Sequence, residues 1–176
     1  FYGYDSPKFT TYTYDSVGRI IKAEMPDGTS TQRCYNDWVN VTVDAGGHKK
    51  RETKDAYGRL IKVDEYNGKH SSCDTYAGSS YATSTYEYDI LGNLRFVTDA
   101  KENKTEMQYD SLGRKTYMKD PDMGEWSYYY DNNGNLMGQK DGNGRWIYFQ
   151  YDALNRLIRK DYDNQEPAGS VDVVYN

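Results

Sequence analysis

The sequence predicts an all-β chain of tandem antiparallel hairpins, each about 21 residues long, forming a curved and twisted strip of sheet. Three observations predict it. Tyr-Asp pairs recur with a constant spacing of 21 residues, at Tyr88-Asp89, Tyr109-Asp110, Tyr130-Asp131 and Tyr151-Asp152. A glycine follows the aspartate by three positions at Gly92, Gly113 and Gly134. Residues before each pair alternate between apolar and polar. Self-similarity at a fixed period marks a stack of like units, each too small to bury a face alone.

Taken in chain order, the first clear unit is Tyr14-Asp15-Ser16-Val17-Gly18-Arg19-Ile20. A worn copy, Tyr35-Asn36-Asp37-Trp38-Val39, lacks the glycine. The next, Asp55-Ala56-Tyr57-Gly58-Arg59-Leu60, lacks the leading tyrosine. The four clean copies follow from Tyr88, and Tyr4-Asp5 and Tyr175-Asn176 read as pieces of further copies. Aspartate can cap a turn by accepting from backbone two residues on, and glycine supplies the positive φ that closes it. A second turn is expected about 11 residues after each tyrosine, at Pro26-Asp27-Gly28, Asp44–Gly47, Asp99–Asn103, Asp120–Gly124 and Asp141–Gly144. Two turns per unit leave two short strands, paired in sequence as antiparallel neighbours. Alternation puts Trp126, Tyr128 and Tyr130 on one face, and likewise Ile147, Phe149 and Tyr151. Tyr81, Tyr129 and Tyr148 fall on the second face and are the candidate ligand-facing aromatics.

Composition limits the core. Hydrophobic residues make up 36%, mean hydropathy is −1.02, and 20 residues are tyrosine. Such a chain suits a thin sheet tiled with tyrosine, whose ring is buried while its hydroxyl stays bonded or wet. The 15% aromatic content argues against disorder. Net charge is −5 with signs interspersed, so no basic stripe suits nucleic acid. No apolar run is long enough for a membrane-spanning helix. Residues 69–85, rich in Ser, Thr, Gly and Ala, break the period. They read either as an irregular surface loop or as the place where individual binding resides. Cys34 and Cys73 are the only cysteines. They are either a disulfide pair or two separate thiols.

Chemistry was sought and is not expected. His48 and His70 have no partner at triad or metal spacing. Asp131–Asn135 and Asp141–Gly144 offer oxygen ligands but lack the sixth-position glycine and closing glutamate of a Ca²⁺ loop. Asp120 and Asp122 as a carboxylate pair are what chance gives among 27 acids. No cofactor motif is present, and the chain is expected to be non-catalytic.

Tyr-Asp-x-x-Gly-(Arg/Asn)-Leu at this spacing resembles the YD repeat, also called the Rhs repeat, from Tyr14 to Asp163. The positions that match it are Tyr14, Asp15, Gly18, Asp55, Gly58, Tyr88, Asp89, Gly92, Tyr109, Asp110, Gly113, Tyr130, Asp131, Gly134, Tyr151 and Asp152. The resemblance implies one array over residues 1–176, a piece of a longer and secreted or cell-surface protein of bacterial origin. In Rhs proteins, insecticidal toxin-complex subunits and teneurins such arrays wind into shells, and bacterial shells enclose a C-terminal toxin. The implied partners are neighbouring repeats and an enclosed toxin domain. The segment Asp120–Gly124 has one residue too many for the family's closing D-P-x-G core. A second resemblance, of Glu125–Met137 and Gly144–Phe149, is to choline- and glucan-binding hairpin repeats of surface proteins. It implies a glycan or a cation as ligand. With tryptophan only at positions 38, 126 and 146, it is the weaker match.

Overall fold

A computed structural model describes residues 9–73, 78–162 and 173–174. Tyr4-Asp5, Asp163 and Tyr175-Asn176 lie outside the described residues. So do residues 74–77 of the period-breaking segment. The chain divides into two compact units, residues 1–86 and 87–176. All regular structure among the described residues is β, and no helix is long and apolar enough to cross a membrane.

The first unit carries β1 (Thr11–Tyr14), β2 (Ile20–Glu24), β3 (Ser30–Asn36), β4 (Val39–Val43), β5 (Lys49–Lys54), β6 (Leu60–Tyr66) and the start of β7 (Ala82–Tyr88). Each strand pairs antiparallel with the next. The second carries β8 (Leu94–Thr98), β9 (Lys104–Tyr109), β10 (Lys115–Asp120), β11 (Gly124–Tyr130), β12 (Leu136–Lys140), β13 (Trp146–Tyr151), β14 (Leu157–Tyr162) and β15 (Val173–Val174). These also pair in chain order. The fold is therefore the expected hairpin array. Short loops explain the order, because a five-residue turn can only return the chain beside itself.

The worn copy at Tyr35 folds differently from its neighbours. Asn36 pairs with Val39, so Asp37 and Trp38 alone make the turn, with Asp37 at φ +48°. Aspartate tolerates that left-handed conformation better than most residues, which replaces the missing glycine. The period-breaking segment is also shorter than the expected 69–85. Ala82 to Thr85 are already strand, so it runs from 67 to 81.

Burial is sparse. Val41 (0% exposed), Val43 (3%) and Cys73 (6%) form the one buried apolar cluster among the described residues, with Cys34 and Val39 against it. Elsewhere the sheet residues are half-buried, as a single layer requires.

Candidate functional site

The site with the most construction is the junction between one turn and the next. In each Tyr-Asp turn the aspartate amide donates to the carbonyl four residues on, and the residue three on returns a bond to the aspartate carbonyl. At Asp15 these distances are 2.9 and 3.1 Å. The carboxylate then organises the loop from inside. Asp110 Oδ1 accepts from the amides of Leu112 and Arg114, both at 2.9 Å, and Oδ2 accepts from Arg114 Nε. Asp15, Asp55 and Asp152 repeat this with Arg19, Arg59 and Arg156. Asp89 and Asp131 do so with Asn93 and Asn135. The alternation of Arg and Asn after the glycine is thus one role, a side-chain donor to Oδ2. Gly18, Gly58, Gly92, Gly113 and Gly134 all have positive φ, which the loop requires at that position. Asn155 takes the place of glycine in the last copy, at φ +60°.

These bonds hold the carboxyls below the usual range. The largest cause is the backbone amide four residues on at Asp15, Asp110 and Asp152. At Asp89 and Asp131 it is the asparagine side chain. At Asp55 partial burial opposes the shift, and the Arg59 bonds outweigh it.

A β-bulge follows the loop. Thr13 pairs with Lys22 and Tyr14 with Ile20, so Ile21 is extra. The same slip occurs at Lys54, Tyr109, Tyr130 and Tyr151. The carbonyl at this point is the target of a tyrosine from the following unit. Tyr35 Oη donates to Ile20 O (3.2 Å), Tyr109 to Leu94 O (2.9 Å), Tyr130 to Lys115 O (2.9 Å) and Tyr151 to Leu136 O (3.1 Å). Every one of these bonds spans 15 residues. Arginine adds a second tie. The Arg19 guanidinium sits 4.3 Å from the Tyr35 ring centre and Arg114 lies 4.8 Å from that of Tyr130. Arg114 Nη1 also donates to Asp131 O at 3.0 Å. Burial raises the phenol pKa of Tyr109, Tyr130 and Tyr151, keeping each a donor.

The register places Tyr109, Tyr130 and Tyr151 on one face of the second unit. Tyr129 and Tyr148 lie on the other face, 51% and 45% exposed, with Gly138 paired between them. Trp146 joins them, 5.2 Å from Tyr129 and stacked 5.4 Å from Tyr148. Tyr81, in the first unit, is 58% exposed and donates to Glu65 Oε2 at 2.9 Å.

Cys34 and Cys73 are bonded, with Cα atoms 5.7 Å apart. The bond holds the 67–81 segment on the face of the first unit opposite Tyr35. Gln32 Nε2 donates to Ser71 O (3.0 Å), and the His70 amide to Gly47 O (2.9 Å). A side chain at Gly47 would meet Lys69 Cβ at 3.3 Å and the His70 amide nitrogen at 3.4 Å, so glycine permits the approach. Beneath lies Asp64, 1% exposed. Its Oδ2 accepts from Arg51 (2.7 Å), and its Oδ1 from Thr83 (2.7 Å) and Lys62 (3.0 Å). Burial pushes its pKa up, but the bonds from Thr83, Arg51 and Lys62 prevail and hold it low. Beside this roof a cleft of about 530 Å³ opens among residues of the first unit.

Sequence reasoning missed two parts of this. Asp44, Asp99 and Asp141, assigned only to second turns, make the same carboxylate-capped loop as the Tyr-Asp turns. The signal was available as Asp with a donor side chain four residues on, at His48, Asn103 and Arg145. The carbonyl acceptors carried no signal, since every residue has one. Among the described residues no group of three His, Cys, Asp or Glu side chains is placed to hold a metal ion.

No protein-family model matches the chain, and no curated protein sequence matches it. Solved structures do. The chain is similar to the structure described as TcdB2-TccC3-Cdc42, with TM-score 0.74, 18% identity and 92% of this chain covered. It is similar to TcdB2-TccC3-TEV at the same values, and to TcdB2-TccC3 without its hypervariable C-terminal region at TM-score 0.73 and 19% identity. The matched part is about 9% of each of those chains. At this identity the likeness is one of fold: the chain has the hairpin-array fold of a stretch of the TcdB2-TccC3 shell.

Proposed function

We propose that this chain is a non-catalytic length of wall in an Rhs or toxin-complex-like shell. The shell is built by further repeats of the same parent protein and encloses a C-terminal toxin or effector domain. The observation that carries the reading is the junction. Each unit offers a bulge carbonyl and receives a tyrosine from the next, so the unit's chemistry is spent on joining like to like. Every conspicuous carboxylate at the turns is consumed by its own loop, which leaves those groups no catalytic part. The fold shared with TcdB2-TccC3 over 92% of the chain supports the same reading. The Cys34–Cys73 disulfide supports a secreted or cell-surface location, because such bonds persist in oxidising compartments.

Limited proteolysis of the full-length parent tests it. The C-terminal domain is expected to resist protease in the intact protein and to be cut rapidly once residues 14–162 are deleted. Equal cleavage in both would refute enclosure, and electron micrographs without a hollow particle would refute the shell.

A further inference from the structure

We propose that the cleft beside Tyr81 binds one neutral sugar residue of a glycan. This goes beyond the shell reading and does not depend on it. The cleft belongs wholly to the first unit and holds about 530 Å³, within the range of small-ligand sites. The 67–81 segment contributes its wall through Tyr81. That segment is the one stretch the repeat itself does not need.

The lining decides the ligand class. Lys49 and Lys50 face the cleft with Asp44 and Glu65, two cations against two carboxylates. Lys50 is already paired with Glu52 at 2.7 Å, and Asp44 with His48 at 2.9 Å. A phosphate or an acidic sugar would meet both carboxylates, and a cationic ligand both lysines. A neutral polyhydroxyl meets neither conflict, because each hydroxyl both donates and accepts. Glu65 has Oε2 bonded to Tyr81 and keeps Oε1 to accept from a sugar hydroxyl. Lys50 supplies a donor. The Tyr81 ring, more than half exposed, offers an apolar face to the C–H side of a pyranose. The Tyr81–Glu65 bond fixes ring and carboxylate relative to each other, so the aromatic wall and the acceptor are set before a ligand arrives.

The test is a titration of the 176-residue chain, isotopically labelled, followed by amide chemical shifts. The probes are methyl β-D-glucopyranoside, methyl β-D-galactopyranoside and N-acetylneuraminic acid. An open site for one sugar should show a dissociation constant of roughly 1 to 10 mM for a neutral glycoside. Shifts should be confined to residues 42–50, 65–68 and 81. Tyr81→Ala should weaken binding about fivefold. Glu65→Gln, which keeps the shape of the wall, should weaken it as well, whereas Tyr148→Ala should not. Three outcomes overturn the proposal: no shifts with either neutral glycoside, shifts that centre on Tyr129, Trp146 and Tyr148, or binding of N-acetylneuraminic acid alone.

Discussion

The two units use the same hairpins and differ in what lies over the face opposite the repeat tyrosines. In the first, the 67–81 segment is pinned across that face by Cys34–Cys73, and Val41 and Val43 become fully buried. In the second, the corresponding face carries Tyr129, Trp146 and Tyr148 and stays exposed. The difference teaches that the repeat does not make a core. It makes a single layer joined by hydroxyl, guanidinium and carboxylate contacts, and a core appears only where something else is laid on top.

Acid should act on both units at once and have the largest effect. The turn carboxyls have folded pKa values below their ordinary 3.8. Their stabilisation is fully present above that value and is lost as pH falls through the lowered folded values. Circular dichroism should therefore show loss of sheet beginning below about pH 4. An array equally stable at pH 2.5 and 7 would mean the caps contribute nothing.

Removing the disulfide should separate the units. Cys34→Ala with Cys73→Ala is expected to cost the first unit about 3 kcal/mol, as for a loop of this length. Hydrogen exchange should show faster opening over residues 30–66 and none over 104–162. Uniform acceleration would show that the roof matters to both. Val41→Ala should follow at about 2 kcal/mol, read by the same exchange, because it removes two buried carbon atoms and leaves a cavity.

Tyr130→Phe removes one junction hydroxyl and strands the Lys115 carbonyl, at about 1 kcal/mol. Tyr129→Phe, one residue away on the exposed face, should change denaturant midpoints by less than about 0.5 kcal/mol. Equal effects from the two would break the claim that the tyrosine of the pair, and not tyrosine in general, is the joint.

Much of this was legible before any coordinates. Tyr130, Asp131 and Gly134 announced a capped turn, and alternation through Trp126, Tyr128 and Tyr130 gave the faces. Those signals are local, confined to a few neighbouring residues. What stayed hidden was not local. That Cys73 reaches Cys34 across 39 residues depends on where an aperiodic loop lands, and composition says nothing of that. The cleft is assembled from β4, β5, β6 and the roof segment, so no single stretch shows it. Asp64 looked like any strand residue. Its role follows from Arg51, Lys62 and Thr83, which three strands bring together.

The joint has a consequence for how such arrays grow. Its acceptor is a main-chain carbonyl, contributed by isoleucine, leucine or lysine without distinction. A unit therefore does not need to recognise its neighbour's side chain in order to receive it. Gene duplication or deletion by whole units leaves every seam intact, whereas gain or loss of a few residues inside a unit breaks one. Length can vary freely in steps of one repeat, and the sequence of each repeat can drift without renegotiating the next.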